Sequence, residues 1–447
     1  MAGSLDQHIR GYTGPLLLKR LHHIATCGSP LAVEASRKGL QLLMTSEFIE
    51  MNFKGSAAFL KVLANQGDAS SLIADFSDVN RPDPQVLLAS IDTEISAYQS
   101  WQKGSMESLK TLLQRRSTLL MLDCDDDTQE SMVTSLSIPG EFARKYVARE
   151  SELTTVEFMY LDRPDSALKN LRQSLALFCK IAKDSEDDID MDSNVSDTES
   201  TTELSHEEVV AYWNCRWMNL FVNFYAGRFS VVAKEYQSLL DSSSIKGVTA
   251  CNVFESDHYN PVLISKNGLL KAIMISSLIS CTLDDLEKIT KTDVFESFMD
   301  EDVLCAELYR AFSASDYKSS NEIIDQLEEQ LRLDPFFYSL MPTIQKFIRY
   351  KEYICYLSLV QQVSISHMAD FVGVDSNTLV KELTYLMTAS GLHMEYDAVA
   401  GVLHHKPVPP NQELKVLFDG VLELNRRSAD LEASARLKSL VLSSFGN

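Results

Sequence analysis

The sequence predicts a mostly α-helical protein: tetratricopeptide-like helix pairs forming a solenoid, then a winged helix, then one long C-terminal helix. Three observations carry this reading. Apolar residues recur at helical spacing through most of the 447 residues. Three segments in the middle third repeat one pattern, an aromatic-rich helix, a tight polar turn and a second helix. Between Ile344 and His405 the order is helix, short helix, longer helix, hairpin. The chain divides accordingly into an N-terminal helical region over 1–137, a helical-repeat solenoid over 138–343, a winged helix over 344–405 and a C-terminal bundle helix over 406–447.

In the first region Leu16, Leu17, Leu18, Leu21 and Ile24 begin one helix. Pro30, after Ser29, reads as a first-turn proline opening another through Leu40, Leu43 and Phe48. Arg81-Pro82-Asp83-Pro84 breaks the pattern, and Val86, Leu87, Ile91, Ile95 and Tyr98 resume it. Gly104 ends that helix, Met106 to Leu122 gives the next, and Asp123-Cys124-Asp125-Asp126-Asp127 follows as an acidic loop. Without the central Gly and twelfth-position Glu of an EF-hand, that loop reads as a solvated connection.

The repeated turns lie at Asp162-Arg163-Pro164-Asp165, Ala226-Gly227-Arg228-Phe229 and Ala314-Ser315-Asp316-Tyr317. The helices after them carry Ala167-Leu168, Leu171 and Leu175; Val232-Ala233, Tyr236 and Leu239-Leu240; and Ile323-Ile324, Leu327 and Leu331. Small residues near a turn let paired helices approach, and the larger ones fill the groove beyond. Such pairs cannot cover their apolar faces alone, so they stack. Between the first two copies, residues 184–203 hold nine acids, no Lys or Arg and no aromatic residue. That composition predicts a disordered acidic loop. Ser185 and Ser196 each have an acid three residues on, which suits an acidophilic kinase.

The winged helix opens with Gln345 to Leu357 at helical spacing. Val363-Ser364-Ile365 is a short extended step, Ser366 is placed to cap a brief helix, and Gly373 to end it. Asp375 caps a longer helix with Leu379, Leu383, Leu386 and Met387 on one face and Gly391 as its stop. Two strands, Leu392–Tyr396 and Ala400–His404, flank a turn at Asp397. An exposed wing strand offers unpaired backbone groups to a neighbouring protein, so Leu392, Met394, Tyr396 and Val402 are candidate partner-binding residues, with Met394 expected to face outward. After Pro407-Val408-Pro409-Pro410, one helix over 411–442 sets Leu417, Val421, Leu424 and Leu431 on a seam. That stripe has little of its own chain left to cover it, which makes these four candidates for a bundle with partner helices.

Within this module lies a family resemblance. Ile348-Arg349-Tyr350-Lys351-Glu352-Tyr353, Val363-Ser364-Ile365-Ser366-His367-Met368-Ala369, Glu382-Leu383, Gly391-Leu392, Asp397 and Gly401-Val402 together resemble a PCI domain. PCI domains are shared by the proteasome lid, the COP-nine signalosome and an initiation factor complex. The resemblance covers about Phe312 to the C-terminus and is greatest to the branch holding signalosome subunit one and its proteasome-lid counterpart. The sequence departs from that branch at His393-Met394-Glu395-Tyr396, where basic or neutral residues often precede the Ile-Asp pair. The resemblance implies a non-catalytic scaffold whose complex removes the ubiquitin-like modifier Nedd (Rub) from cullins and so regulates cullin–RING ligases. Its implied partners are other PCI subunits, a metalloprotease subunit and cullin–RING ligases. A scaffold of the proteasome lid or of an initiation factor complex is the alternative from the same fold.

Composition narrows the other classes. Net charge is −22, and the longer helix of the winged module offers Lys381 followed at once by Glu382. Phosphate neutralisation supplies most nucleic-acid affinity, so this chain is a poor nucleic-acid binder and is repelled by anionic membrane. No apolar run approaches the roughly 20 residues that span a bilayer. The first residues lack a secretory leader, and eight scattered cysteines fit reduced thiols, so a cytoplasmic and nuclear location is expected.

No phosphate-cradling Gly-x-x-x-x-Gly-Lys-Ser/Thr loop, dinucleotide fingerprint or nucleophile elbow occurs. His206-Glu207-Glu208-Val209-Val210 begins like a zinc helix but lacks the second His. His22-His23 and His404-His405 are adjacent pairs whose rings point apart. No His-x-His exists, the motif central to the metalloprotease subunits of the signalosome and the lid. The expectation is a protein with no cofactor, no metal and no catalytic residue.

Overall fold

The structure, a computed structural model, describes residues 5–65, 70–100, 106–123, 151–184, 206–390 and 394–405. It is mostly helical, with one three-stranded sheet among the described residues. The chain packs into two compact units. One comprises 1–222, 239–266 and 332–335; the other comprises 223–238, 267–331 and 336–447. The acidic loop with Ser185 and Ser196, residues 124–127 of the Asp-rich run, Gly391, Leu392 and the C-terminal helix with Leu417, Val421, Leu424 and Leu431 lie outside the described residues.

In the first unit, helix Gly14–Thr26 buries Leu18, Leu21 and Ile24 against helices Ala32–Leu43 and Ser56–Ala64. The last two approach so closely that a Cβ on Gly39 would meet the Phe59 ring at 2.6 Å. The helix predicted from Pro30 starts later, at Ala32, because Ser29 holds the preceding residues in a turn: its Oγ accepts from the Leu31 amide and its carbonyl from Ala32. That helix also stops at Leu43, and Phe48 reaches the core from a turn. Helices Pro84–Ser100 and Met106–Asp123 stand where the spacing predicts them.

Arg20 is 2% exposed within this unit. Its Nε donates to Asp334 Oδ2 at 3.2 Å and its Nη2 to the Leu263 carbonyl at 2.9 Å, while the guanidinium lies 3.6 Å from the Tyr12 ring centre. Tyr12 in turn donates to Ser265 Oγ and accepts from the Ser265 amide. One helix therefore gathers two segments far away in sequence. A planar guanidinium suits this role because its donors fan out in fixed directions while its face stacks. Lys19 does similar work, donating to the Tyr160 carbonyl at 2.6 Å and to Asp162 at 2.8 Å.

The three predicted repeat turns share one backbone geometry. Asp162, Gly227 and Ser315 are left-handed, with φ of 56°, 72° and 57°. Each donates three residues back, to Met159, Phe224 and Phe312, and the next amide closes a wider bond: Arg163 to Phe158, Arg228 to Asn223 and Asp316 to Ala311, all at 2.9 Å. This is the Schellman closure, which satisfies carbonyls that a helix end leaves open. Met159, Phe224 and Phe312 are buried at the ends of the leading helices. In the following helices, Pro164–Asp184, Phe229–Leu240 and Tyr317–Leu331, the small or branched Ala167, Val232 and Ser320 are fully buried, and Leu171, Tyr236 and Ile324 lie one step deeper in the core. The copies are thus equivalent in structure although their sequence spacing varies.

Candidate functional site

The winged helix belongs to the second unit, and its residues build it locally. Helix Pro335–Leu357 begins upstream of Ile344 and includes Pro342. Strand β1 (Gln362–Ser364) leads into helix Ile365–Val372. The cap of that helix is Ser364, not Ser366: Ser364 is extended, with ψ of 142°, and its Oγ accepts from the His367 amide. Ser366 already lies within the first turn, where its side chain cannot take the cap position. Gly373 ends the helix at φ of 78°, and a Cβ there would also meet Lys318 Cγ at 3.0 Å. Asp375 caps helix Ser376–Ser390 as predicted, accepting from the Asn377 and Thr378 amides at 3.1 and 3.2 Å.

The hairpin is β2 (Met394–Asp397) and β3 (Val402–His405). The sheet order is β1-β3-β2, all antiparallel, with Tyr396 opposite Leu403 and Val363 opposite Leu403 on the other side. β3 is therefore central, and β2 is an edge among the described residues. Asp397 fastens the turn: its Oδ1 accepts from the Val399 and Ala400 amides at 2.9 and 3.1 Å, which holds its carboxyl below the usual range.

Met394 corrects the sequence reading. It is 8% exposed and packs in the core with Leu379, Leu383, Leu386 and Leu403, because the strand's alternation sends Met394 and Tyr396 inward and Glu395 outward. Tyr396 is half-buried against that core and Val402 is half-buried. The outward surface of β2 is thus Glu395 and Asp397.

Beneath the module lies a polar network formed largely by residues that carry the family resemblance. Arg349 holds Glu382 with two bonds, Nη2 to Oε1 at 2.6 Å and Nε to Oε2 at 3.2 Å, and the Tyr353 hydroxyl donates to Oε2 at 2.7 Å. Burial, then the hydrogen bond to Glu382, push the Tyr353 hydroxyl pKa up. Glu352 is fully buried. Asn321 Nδ2 donates to its Oε2 at 2.9 Å and to the Val372 carbonyl at 3.1 Å, so one amide ties a repeat helix to the first helix of the winged module. Glu352 Oε1 and Ser320 Oγ, both buried, make no hydrogen bond of good geometry. Burial pushes the Glu352 pKa up to about 8, against weaker opposing effects of Ser320, Asn321 and Arg349. Lys351 donates to the Cys281 carbonyl at 2.8 Å, and burial lowers its pKa to about 8. Sequence reasoning singled out Arg349, Lys351, Glu352 and Glu382 but missed Asn321, which has no motif around it.

A third feature faces out. Tyr350, 2% exposed, stacks on Tyr385 at 6.0 Å and 25°, and Tyr385 is 42% exposed. Lys346 Nζ lies 4.8 Å from the Tyr385 ring centre and 5.5 Å from that of Tyr350.

Among the described residues no group of three or more His, Cys, Asp or Glu is placed to hold a metal ion, and no helix is long and apolar enough to cross a membrane. Burial pushes up the thiols of Cys215, Cys251, Cys281, Cys305 and Cys355, most of all the fully buried Cys215 and Cys305. Raised thiols are poor nucleophiles at neutral pH. The geometry here supports packing and docking.

No protein-family model matches the chain. Over 135 residues it is 24% identical to COP9 signalosome complex subunit 11 of Kluyveromyces lactis. That stretch is 30% of this chain and 35% of the relative, so the match spans about a third of the relative's length. The chain is therefore a mostly helical protein, with repeated helix pairs leading into a winged helix, and it is similar over part of its length to a signalosome subunit.

Proposed function

We propose that this chain is a non-catalytic scaffold subunit of a PCI-built complex, the signalosome, and supports removal of Nedd (Rub) from cullins. The observation that carries the reading is the winged helix itself. Its longer helix exposes one cation and its sheet ends in a strand edge, which suits it to a protein neighbour rather than to DNA. The partial similarity to a signalosome subunit supports the choice of complex. On this reading β2 pairs with a neighbouring subunit through its backbone, with Tyr396 and Val402 beside the contact and Leu392 at its start. The seam of Leu417, Val421, Leu424 and Leu431 joins a bundle of partner helices. The partners are other PCI subunits, a metalloprotease subunit and, through the complex, cullin–RING ligases, in cytoplasm and nucleus.

Affinity purification of the tagged full chain with mass spectrometry tests the assignment. Recovery of a metalloprotease subunit and cullins is the expected result. Proteasome base and lid subunits, or initiation factor subunits, in the eluate would overturn it. The same purification with Tyr396→Pro, which removes an amide that β2 directs away from β3, should recover less of the complex. Undiminished recovery with an unaltered melting temperature would exclude the edge as the contact.

A further inference from the structure

We propose that the exposed face of helix Ser376–Ser390, together with Lys346, is a docking surface for an acidic protein segment bearing an aromatic anchor. This is a second surface, on the helix rather than the strand edge, and it does not depend on which complex holds the chain. Past its first position, the outward residues of the helix are Asn377, Thr378, Lys381, Thr384, Tyr385 and Thr388. None is acidic, although the chain carries −22. The one carboxylate on this helix, Glu382, is turned away and neutralised by Arg349, with 11% of its side chain exposed.

The centre of the face is prepared for an anchor. Lys381 and Tyr385 are four apart and so neighbours on the helix. Lys346 stands over the Tyr385 ring from the other helix, and Tyr350 stacks beneath it. Tyr385 is thereby a rigid aromatic platform flanked by two ammonium groups, neither of which is in a salt bridge among the described residues. A fixed tyrosine offers contact area at small entropic cost, and lysines beside it attract carboxylates. Two cations are too few to hold a nucleic-acid backbone at physiological salt. Repulsion from the rest of the acidic chain is screened beyond about 8 Å, so an acidic segment is confined to this face rather than kept from it.

The test uses the full chain and a fluorescein-labelled peptide, Asp-Glu-Asp-Trp-Glu-Asp, followed by fluorescence anisotropy. The same peptide with Ser for Trp and a labelled single-stranded DNA run alongside. Saturable binding of the Trp peptide is expected, weakening by about tenfold for Lys381→Glu with Lys346→Glu and by a similar factor for Tyr385→Ala. Lys381→Glu alone alters an exposed side chain, so it keeps the measurement decisive if the double variant unfolds. Failure of the Trp peptide to bind, or binding indifferent to Lys381→Glu, overturns the proposal. Equal binding of the Ser peptide removes the aromatic anchor, and tighter DNA binding through the same residues makes the surface a nucleic-acid site instead.

Discussion

Arg20 and Glu352 are both buried ionisable residues at the meeting point of distant segments, and the two units treat them differently. Arg20 keeps a carboxylate partner, a carbonyl and an aromatic face, so its charge stays compensated. Glu352 has one amide donor and one oxygen without a hydrogen bond, and burial raises its pKa to about 8. A buried charge must be paired or be given up. The first unit pairs its charge. The winged module gives its charge up, and its stability there depends on pH.

The largest effect is expected from breaking the paired site. Arg20→Ala should cost about 3 kcal/mol, seen as a lower urea midpoint, because Asp334 and the Leu263 carbonyl lose their donors. Arg20→Lys should recover little of it, since an ammonium cannot bridge both acceptors and stack on Tyr12. Full recovery by Lys would show that charge alone matters there.

Glu352→Gln sharpens the other half of the comparison. A raised carboxyl pKa means the folded chain holds a proton that the unfolded chain loses above its ordinary value of 4.5. The stability Glu352 contributes is thus complete below that value and falls as pH rises toward 8. Lys351, lowered from 10.5 to about 8, acts in the opposite sense, with stability rising between those values. Glu352→Gln should be near neutral at pH 5 and stabilising by on the order of 2 kcal/mol at pH 8.5. Equal midpoint shifts at the two pH values would show that the carboxylate remains ionised in the fold.

The smallest effect concerns the repeat turns. Nothing lies within 4 Å of a Cβ built on Gly227, so Gly227→Ala should cost about 1 kcal/mol through backbone strain alone. A much larger loss would mean that the Ala226–Phe229 turn packs more tightly than its open surroundings indicate.

Much of this organisation is legible in the residues. The three repeat turns appear as short polar breaks between apolar runs, and all three close in one way because Asp, Gly and Ser tolerate or accept the left-handed position. Asp375 and Gly373 mark helix ends for the same local reason. The sequence reading places the cap of the brief helix at Ser366, two residues too late, because the path of β1, which leaves Ser364 as the last extended residue, is set by pairing with β3. Pro30 is a similar case, since a proline suits either a turn or a first helical residue.

What the sequence determined by itself is what neighbours along the chain can decide: helices, their caps and stops, the repeated turns, and the order of elements in the winged helix. The tertiary structure alone decided which polar residues carry charge and which way the wing faces. Arg20 meets Leu263 and Asp334, and Glu352 meets Asn321, only after folding brings those segments together, so their burial leaves no local mark. Met394 shows the same division. Alternation puts Met394 and Tyr396 on one face of β2, but the core side is known only once β2 is registered on β3 above helix Ser376–Ser390, since a slip of one residue reverses every side chain.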